Sequence, residues 1–116
     1  MSEADTLITG SESIGDGVVL SLGGEIDYSR APTLRGELMA VVKNKAPQRL
    51  VLDLAGVDYM DSSGVATLVE TLSMQLNAKS KLVLCNLQQR VRGIFEIARL
   101  DKVFTIADSR DDALKA

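Results

Sequence analysis

The densest group of chemically capable side chains in the sequence is Asp61-Ser62-Ser63-Gly64: an acid, two hydroxyls and a glycine, set directly before an apolar helical stripe. At the first turn of a helix, free backbone N–H groups and about half a positive charge favour an anion, so a hydroxyl there suits phosphorylation or a partner's hydrogen bond. The same residues also suit a plain N-cap. Asp61, Ser62 or Ser63 accepting from an N–H two or three positions on would add about 1 kcal/mol, with Gly64 as a turn residue. Residue types alone leave both readings open.

A serine becomes a catalytic nucleophile only beside a base. The sequence contains no histidine, which removes the usual general base, the usual triad member and the commonest zinc ligand. No G-x-S-x-G elbow and no G-x-x-x-x-G-K-[ST] phosphate loop occurs either. Asp53 ends an apolar run in a chain about as long as a response-regulator receiver, which raises an aspartyl-phosphate site as a rival; the acidic pair and late lysine of that site are missing from the matching places. The lone cysteine, Cys85, sits in the apolar run Leu82-Val83-Leu84-Cys85 and reads as a buried structural thiol. The expectation is a noncatalytic module, not an enzyme, with no cofactor and no metal site.

With 116 residues the chain fits one domain. Its 46% hydrophobic and 25% charged residues are ordinary for a globular protein, so it is expected to fold alone. The net charge of −3 gives no general attraction to phosphate backbones, and nucleic acid is not an expected partner. Nothing approaches the ~20 apolar residues of a membrane-spanning helix. The first residues, acidic and without an apolar stretch, do not read as a secretory signal, and the expected location is cytoplasmic.

The elements that must position Ser62 and Ser63 follow from periodicity. Residues 1–15 are polar and read as a flexible arm, with a short strand at residues 6–9, ahead of a domain over residues 16–116. Val18-Val19-Leu20-Ser21-Leu22 predicts a strand closed by the turn pair Gly23-Gly24. Pro32 and the spacing of Leu34, Leu38, Val41 and Val42 predict a helix over residues 31–43, with Ser29 as its cap. Leu50-Val51-Leu52-Asp53-Leu54 reads as a central strand buried on both faces, followed by a loop over residues 55–61. Val65, Leu68, Val69, Leu72 and Leu76 then form one helical stripe beginning near Ser63. A strand over residues 82–85, a helix carrying Val91, Ile94, Phe95 and Ala98, and a strand over residues 103–106 come next. Ser109 and Asp112 make a capping box for a short last helix. The order predicts an α/β domain, a mixed β-sheet of about four to five strands packed with about four α-helices.

Val51-Leu52-Asp53-Leu54 followed by Asp58-Tyr59-Met60-Asp61-Ser62-Ser63-Gly64-Val65 resembles the signature loop of STAS domains. Gly24-Glu25-Ile26-Asp27 with Ala31-Pro32-Thr33-Leu34-Arg35 resembles that family's first strand–helix junction, and the resemblance covers residues 18–116. It implies a STAS fold and the role of an anti-sigma factor antagonist (anti-anti-sigma factor). Such a protein binds a serine kinase that is also the anti-sigma factor, of the histidine-kinase-like ATPase class, until that kinase phosphorylates it; a serine phosphatase restores binding. By resemblance Ser63 is the phosphoacceptor, Ser62 a secondary one, and Asp61 the acid that supports phosphorylation and binding, with Gly64 completing the motif. Asp27 and Tyr28 match a second surface loop near that site; as plain structure they are a turn residue and rim packing. The same resemblance leaves an alternative, an accessory subunit that binds the ATPase of a lipid-transporting ABC system. Arg90, Arg92, Arg99 and Lys102 gather positive charge around the third helix, where Arg92 and Glu96 are spaced to pair, as on a solvated face.

Overall fold

The computed structural model describes residues 6–116. The chain forms β1 (Ile8–Ile14), β2 (Gly17–Ile26), α1 (Ala31–Lys45), β3 (Arg49–Met60), α2 (Ser62–Asn77), β4 (Lys81–Cys85), α3 (Gln89–Ile97), a 3-10 turn (Leu100–Lys102), β5 (Thr105–Ala107) and α4 (Arg110–Lys115). The five strands lie side by side in sequence order. β1 runs antiparallel to β2, and β2 through β5 run parallel to one another. This is the expected mixed α/β sheet with four helices.

Alternation along the strands sends side chains to two unequal layers. Leu20, Leu22, Leu50, Leu52 and Leu84 face Leu34 and Leu38 of α1, Leu68 of α2 and Val91 and Phe95 of α3, in one continuous core. Val19, Val51, Val83 and Cys85 point the other way and form a smaller cluster with Ala113 and Leu114 of α4, Ala107 of β5 and Ala116. The central strand is thus covered on both faces, as its nearly unbroken apolar run predicts. Gln75, buried near the end of α2, donates from Nε2 to the carbonyls of Pro47 (3.1 Å) and Lys81 (2.8 Å), tying α2 to the chain entering β3 and β4.

Five expectations need correction. The arm assigned to residues 1–15 is, over Ile8–Ile14, a sheet strand whose ladder with β2 outweighs its polar composition; Leu7 ahead of it is buried, and residues 1–5 of that arm lie outside the described residues. Gly23-Gly24 does not end β2, and residues 55–60 are not a loop: the two segments pair as far as Ile26 and Met60, with register shifts absorbed at the glycines. Gly24 has φ +90°, and a Cβ on Gly56 would lie 3.0 Å from the carbonyl oxygen of Leu22, so small residues permit the close pairing. Ser29 does not cap α1. Arg30 occupies the cap position without a side-chain bond, while Asp27 takes the N–H groups of Ser29 and Arg30 instead. The last strand begins at Thr105, because Phe104 turns into the core against Phe95 with ring centroids 5.3 Å apart, edge to face. No helix among the described residues is long and apolar enough to cross a membrane.

Candidate functional site

β2 and β3 end together, and the two chain segments leaving them are joined by Asp61. Its backbone is extended, so its carboxylate reaches both forward and sideways. Oδ1 accepts from the N–H groups of Ser63 (2.9 Å) and Gly64 (3.2 Å), capping α2. Oδ2 accepts from the N–H of Tyr28 (2.9 Å), and the Asp61 N–H donates to the Ile26 carbonyl (3.2 Å). Of the three residues that could cap this helix, Asp61 does so, and it holds the Asp27-Tyr28 turn against the start of α2.

That leaves both hydroxyls unused. Ser62 is exposed and Ser63 half-buried, and neither side chain makes a hydrogen bond among the described residues. The Ser63 carbonyl is held by the Thr67 hydroxyl at 3.0 Å, one turn further along. Gly64 is where the helix touches the sheet: a Cβ there would lie 2.7 Å from the Ile26 carbonyl oxygen and 2.7 Å from Met60 Cγ. Asp61, with both oxygens engaged by backbone donors, positions the serines and does not stand as a free base.

On the second loop, Asp27 accepts from the Ser29 hydroxyl at 2.7 Å and pairs with Arg30 at 3.3 Å. The Ser29 hydroxyl, with the backbone N–H groups and charge of Arg30 outweighing partial burial, holds the Asp27 carboxyl below its usual range. Tyr28 is 76% exposed beside the serines. The structure therefore brings Asp27, Tyr28, Asp61, Ser62, Ser63 and Gly64 to one end of the sheet, with Asp27 serving its own turn and Tyr28 presented outward.

Sequence reasoning assigned no role to Arg35 and Glu70. Together with Tyr28, Pro32, Ser63 and Ala66 they line a groove of about 330 Å³ between α1 and α2. Arg35 donates from Nε and Nη2 to the two oxygens of Glu70, both at 2.7 Å. These hydrogen bonds hold the Glu70 carboxyl below its usual range. Thirty-five positions separate the partners, so no local spacing announces the pair. Of the basic residues on α3, Arg90 donates to the Asp58 carbonyl at 3.4 Å. Arg92 pairs with Asp108 at 3.5 Å and not with Glu96.

Asp53 stands elsewhere, in the middle of β3 on the face covered by α4. Its Oδ2 accepts from Arg110 Nη2 at 2.9 Å and its Oδ1 from Asn86 Nδ2 at 3.2 Å, so this carboxylate is a structural ion-pair member. Its register neighbour Cys85 is fully buried; burial, with the Asp53 charge beside it, pushes the thiol up to about 11.

A mixed sheet with a capped Asp-Ser-Ser-Gly turn at the carboxyl ends of its parallel strands defines a class of protein. The STAS domain family matches residues 7–113, and the chain belongs to that family. Among its relatives is the anti-sigma-B factor antagonist of Bacillus subtilis, 33% identical over 90 residues that span 78% of this chain and 81% of that protein. The crystal structure of an anti-sigma factor antagonist from Mycobacterium paratuberculosis superposes with a TM-score of 0.84 at 31% identity, over 99% of this chain and 97% of that one. The fold is also that of the phosphorylated form of the Bacillus cell fate determinant SpoIIAA, with a TM-score of 0.69 at 20% identity, over 91% of this chain and 96% of the other.

Proposed function

We propose that the chain is an anti-sigma factor antagonist that binds a serine kinase acting as anti-sigma factor while Ser63 is unmodified, and lets go when that kinase phosphorylates Ser63. Ser62 is the secondary acceptor, a serine phosphatase resets the switch, and the cytoplasm is the site of action. The single observation that carries this reading is the Asp61 clamp. One carboxylate fixes three backbone N–H groups and so presents two unbonded serine hydroxyls beside Tyr28, at the meeting of two loops. The protein acts by binding, and catalysis belongs to the kinase.

A phosphoserine brings about −1.5 to −2 charges, which the start of a helix tolerates, so the fold is expected to persist. At a partner's surface the new charge meets whatever acidic group was tolerated beside a neutral hydroxyl. Two charges against one at ~6 Å, with an effective dielectric near 20 to 40, repel by about 3 to 5 kcal/mol before screening. That is a loss of about a hundredfold or more in affinity. Calorimetric titration of wild type, Ser63→Ala and Ser63→Asp with the purified kinase tests it. Ser63→Ala is expected to bind and resist switching off, and Ser63→Asp to bind much more weakly. Equal affinity for all three at unchanged melting temperature would reduce Ser63 to a residue of the helix cap. Affinity purification that retrieves an ABC transporter ATPase and no kinase would favour the accessory-subunit role.

A further inference from the structure

We infer that the groove between α1 and α2 is a phosphate-receiving site within the chain itself: once Ser63 carries a phosphoryl group, Arg35 turns guanidinium donors from Glu70 to that phosphate and holds it against the domain. The inference rests on Ser63 being the modified residue, as proposed above. In that modification the γ-phosphoryl group of ATP passes to Ser63 Oγ. A bond forms between Oγ and phosphorus, the bond from the γ-phosphorus to its bridging oxygen breaks, ADP leaves, and the hydroxyl proton is released.

Three observations place the phosphate with Arg35. Ser63 and Arg35 line the same cavity of about 330 Å³, and no other cationic side chain among the described residues lines it. A guanidinium carries five N–H donors in a planar fork suited to phosphate. Arg35 commits one from Nε and one from Nη2 to Glu70, and the others meet no acceptor among the described residues. Finally, the Arg35 and Glu70 side chains are 53% and 43% exposed, so the fork is free to turn without unpacking the core.

Electrostatics gives the direction. Glu70 lines the same cavity, so a dianionic group on Ser63 enters a space that already holds a carboxylate. A shift of Arg35 toward the new charge offsets that repulsion, and the phosphate, with more charge and more acceptor oxygens than a carboxylate, is the stronger competitor. The move leaves Glu70 less neutralised on the surface of α2. Phosphorylation would then alter the partner-facing surface twice, by adding one anion and by unmasking another.

The test installs phosphoserine at position 63 during translation, so it needs no kinase, and follows the phosphate by phosphorus-31 NMR across pH 4 to 9. A phosphoserine loses its second proton at about pH 6. The guanidinium favours the dianion, so the wild-type phosphoprotein is expected to titrate lower than the Arg35→Gln phosphoprotein by about half a unit to one unit. Arg35→Lys should fall between them, and Glu70→Gln, lacking the competing carboxylate, should titrate lowest. The helix start contributes equally to all four and cancels in the differences. Melting curves of the unmodified variants verify that each still folds. Coincident titrations of wild type and Arg35→Gln would overturn the inference. A kinase that ignores Ser63 would instead count against the functional proposal and leave these titrations unchanged.

Discussion

Asp61 binds backbone on two sides, so its replacement by alanine would remove a helix cap and also release the Tyr28 turn from α2. Gly64 acts through its missing side chain. The carbonyl of Ile26 that a Cβ would strike is the one that accepts from Asp61, so Gly64→Ala must push the start of α2 off the strand ends. The expected cost is about 1 to 3 kcal/mol, the usual range for overpacking a close contact. For a domain of this size that is a fall of several degrees in Tm or more. Partner affinity should drop along with it, since the serines and Tyr28 lose their common anchor. Thermal melts of Gly64→Ala and Gly64→Ser check this, with Gly36→Ala as a control, because a Cβ at Gly36 meets nothing within 4 Å. Alanine favours a helix over glycine, so Gly36→Ala is expected to hold or gain stability; an equal gain at Gly64 would mean that helix propensity, and not the contact there, sets the effect.

At the scale of elements, what was legible depended on how local the cause is. Pro32 and the Leu34-Leu38-Val42 spacing announce α1, and the Asp61-to-Gly64 motif announces the start of α2, because each is settled within one or two turns. β1 beyond Thr9 and the far half of β3 were not legible: Ser11, Ser13, Gly56 and Asp58 carry little strand propensity, and those residues are extended because a partner strand lies beside them. The Arg35–Glu70 pair of the site was hidden for the same reason, being made by two helices folding together. The pairing of β3 with α4 through Asp53 and Arg110 leads to a pH prediction. Burial alone would raise the Asp53 carboxyl; the Ala55 N–H, Arg110 and Asn86 outweigh it, and the net direction is downward. A depressed carboxyl contributes stability above its unfolded pKa, near 3.9, and loses that contribution as pH falls through the folded value. Asp53→Asn should therefore be less stable than wild type at pH 7, by about 1 to 2 kcal/mol given that Arg110 is partly solvated. The gap should close as pH drops below about 4. Urea titrations at pH 7 and pH 3 measure it, and a gap that widens at pH 3 would show the ion pair to be irrelevant.

The whole molecule is lopsided. Three helices cover one face of the sheet, with the large side chains of the core, while among the described residues the opposite face carries one helix, α4, anchored by Arg110 and Ala113. The serine site lies at the ends of β2 and β3, and Gln75 clamps α2 near Pro47 and Lys81. The helix that begins at Ser62 is thus fixed at both of its ends, by Asp61 and by Gln75. On the proposed function, a phosphate on Ser63 would meet a rigid lever, and the accommodation would fall to side chains in the groove.

The Asp53–Arg110 tie also has a timetable. The two residues are 57 positions apart. At 5 to 20 residues per second on a ribosome, Arg110 is added about 3 to 11 s after Asp53. During that interval the carboxylate has no cation to meet, and burying it alone is costly, so the α4 face of the sheet stays hydrated while α1, α2 and α3 condense on the other. A nascent chain should therefore gather itself in two pulls, a large one once α3 has emerged and a smaller one after Arg110. Arrest-peptide force profiles over a series of chain lengths would record both, and Arg110→Gln should erase only the second. One undivided pull would mean that the two faces close as a unit.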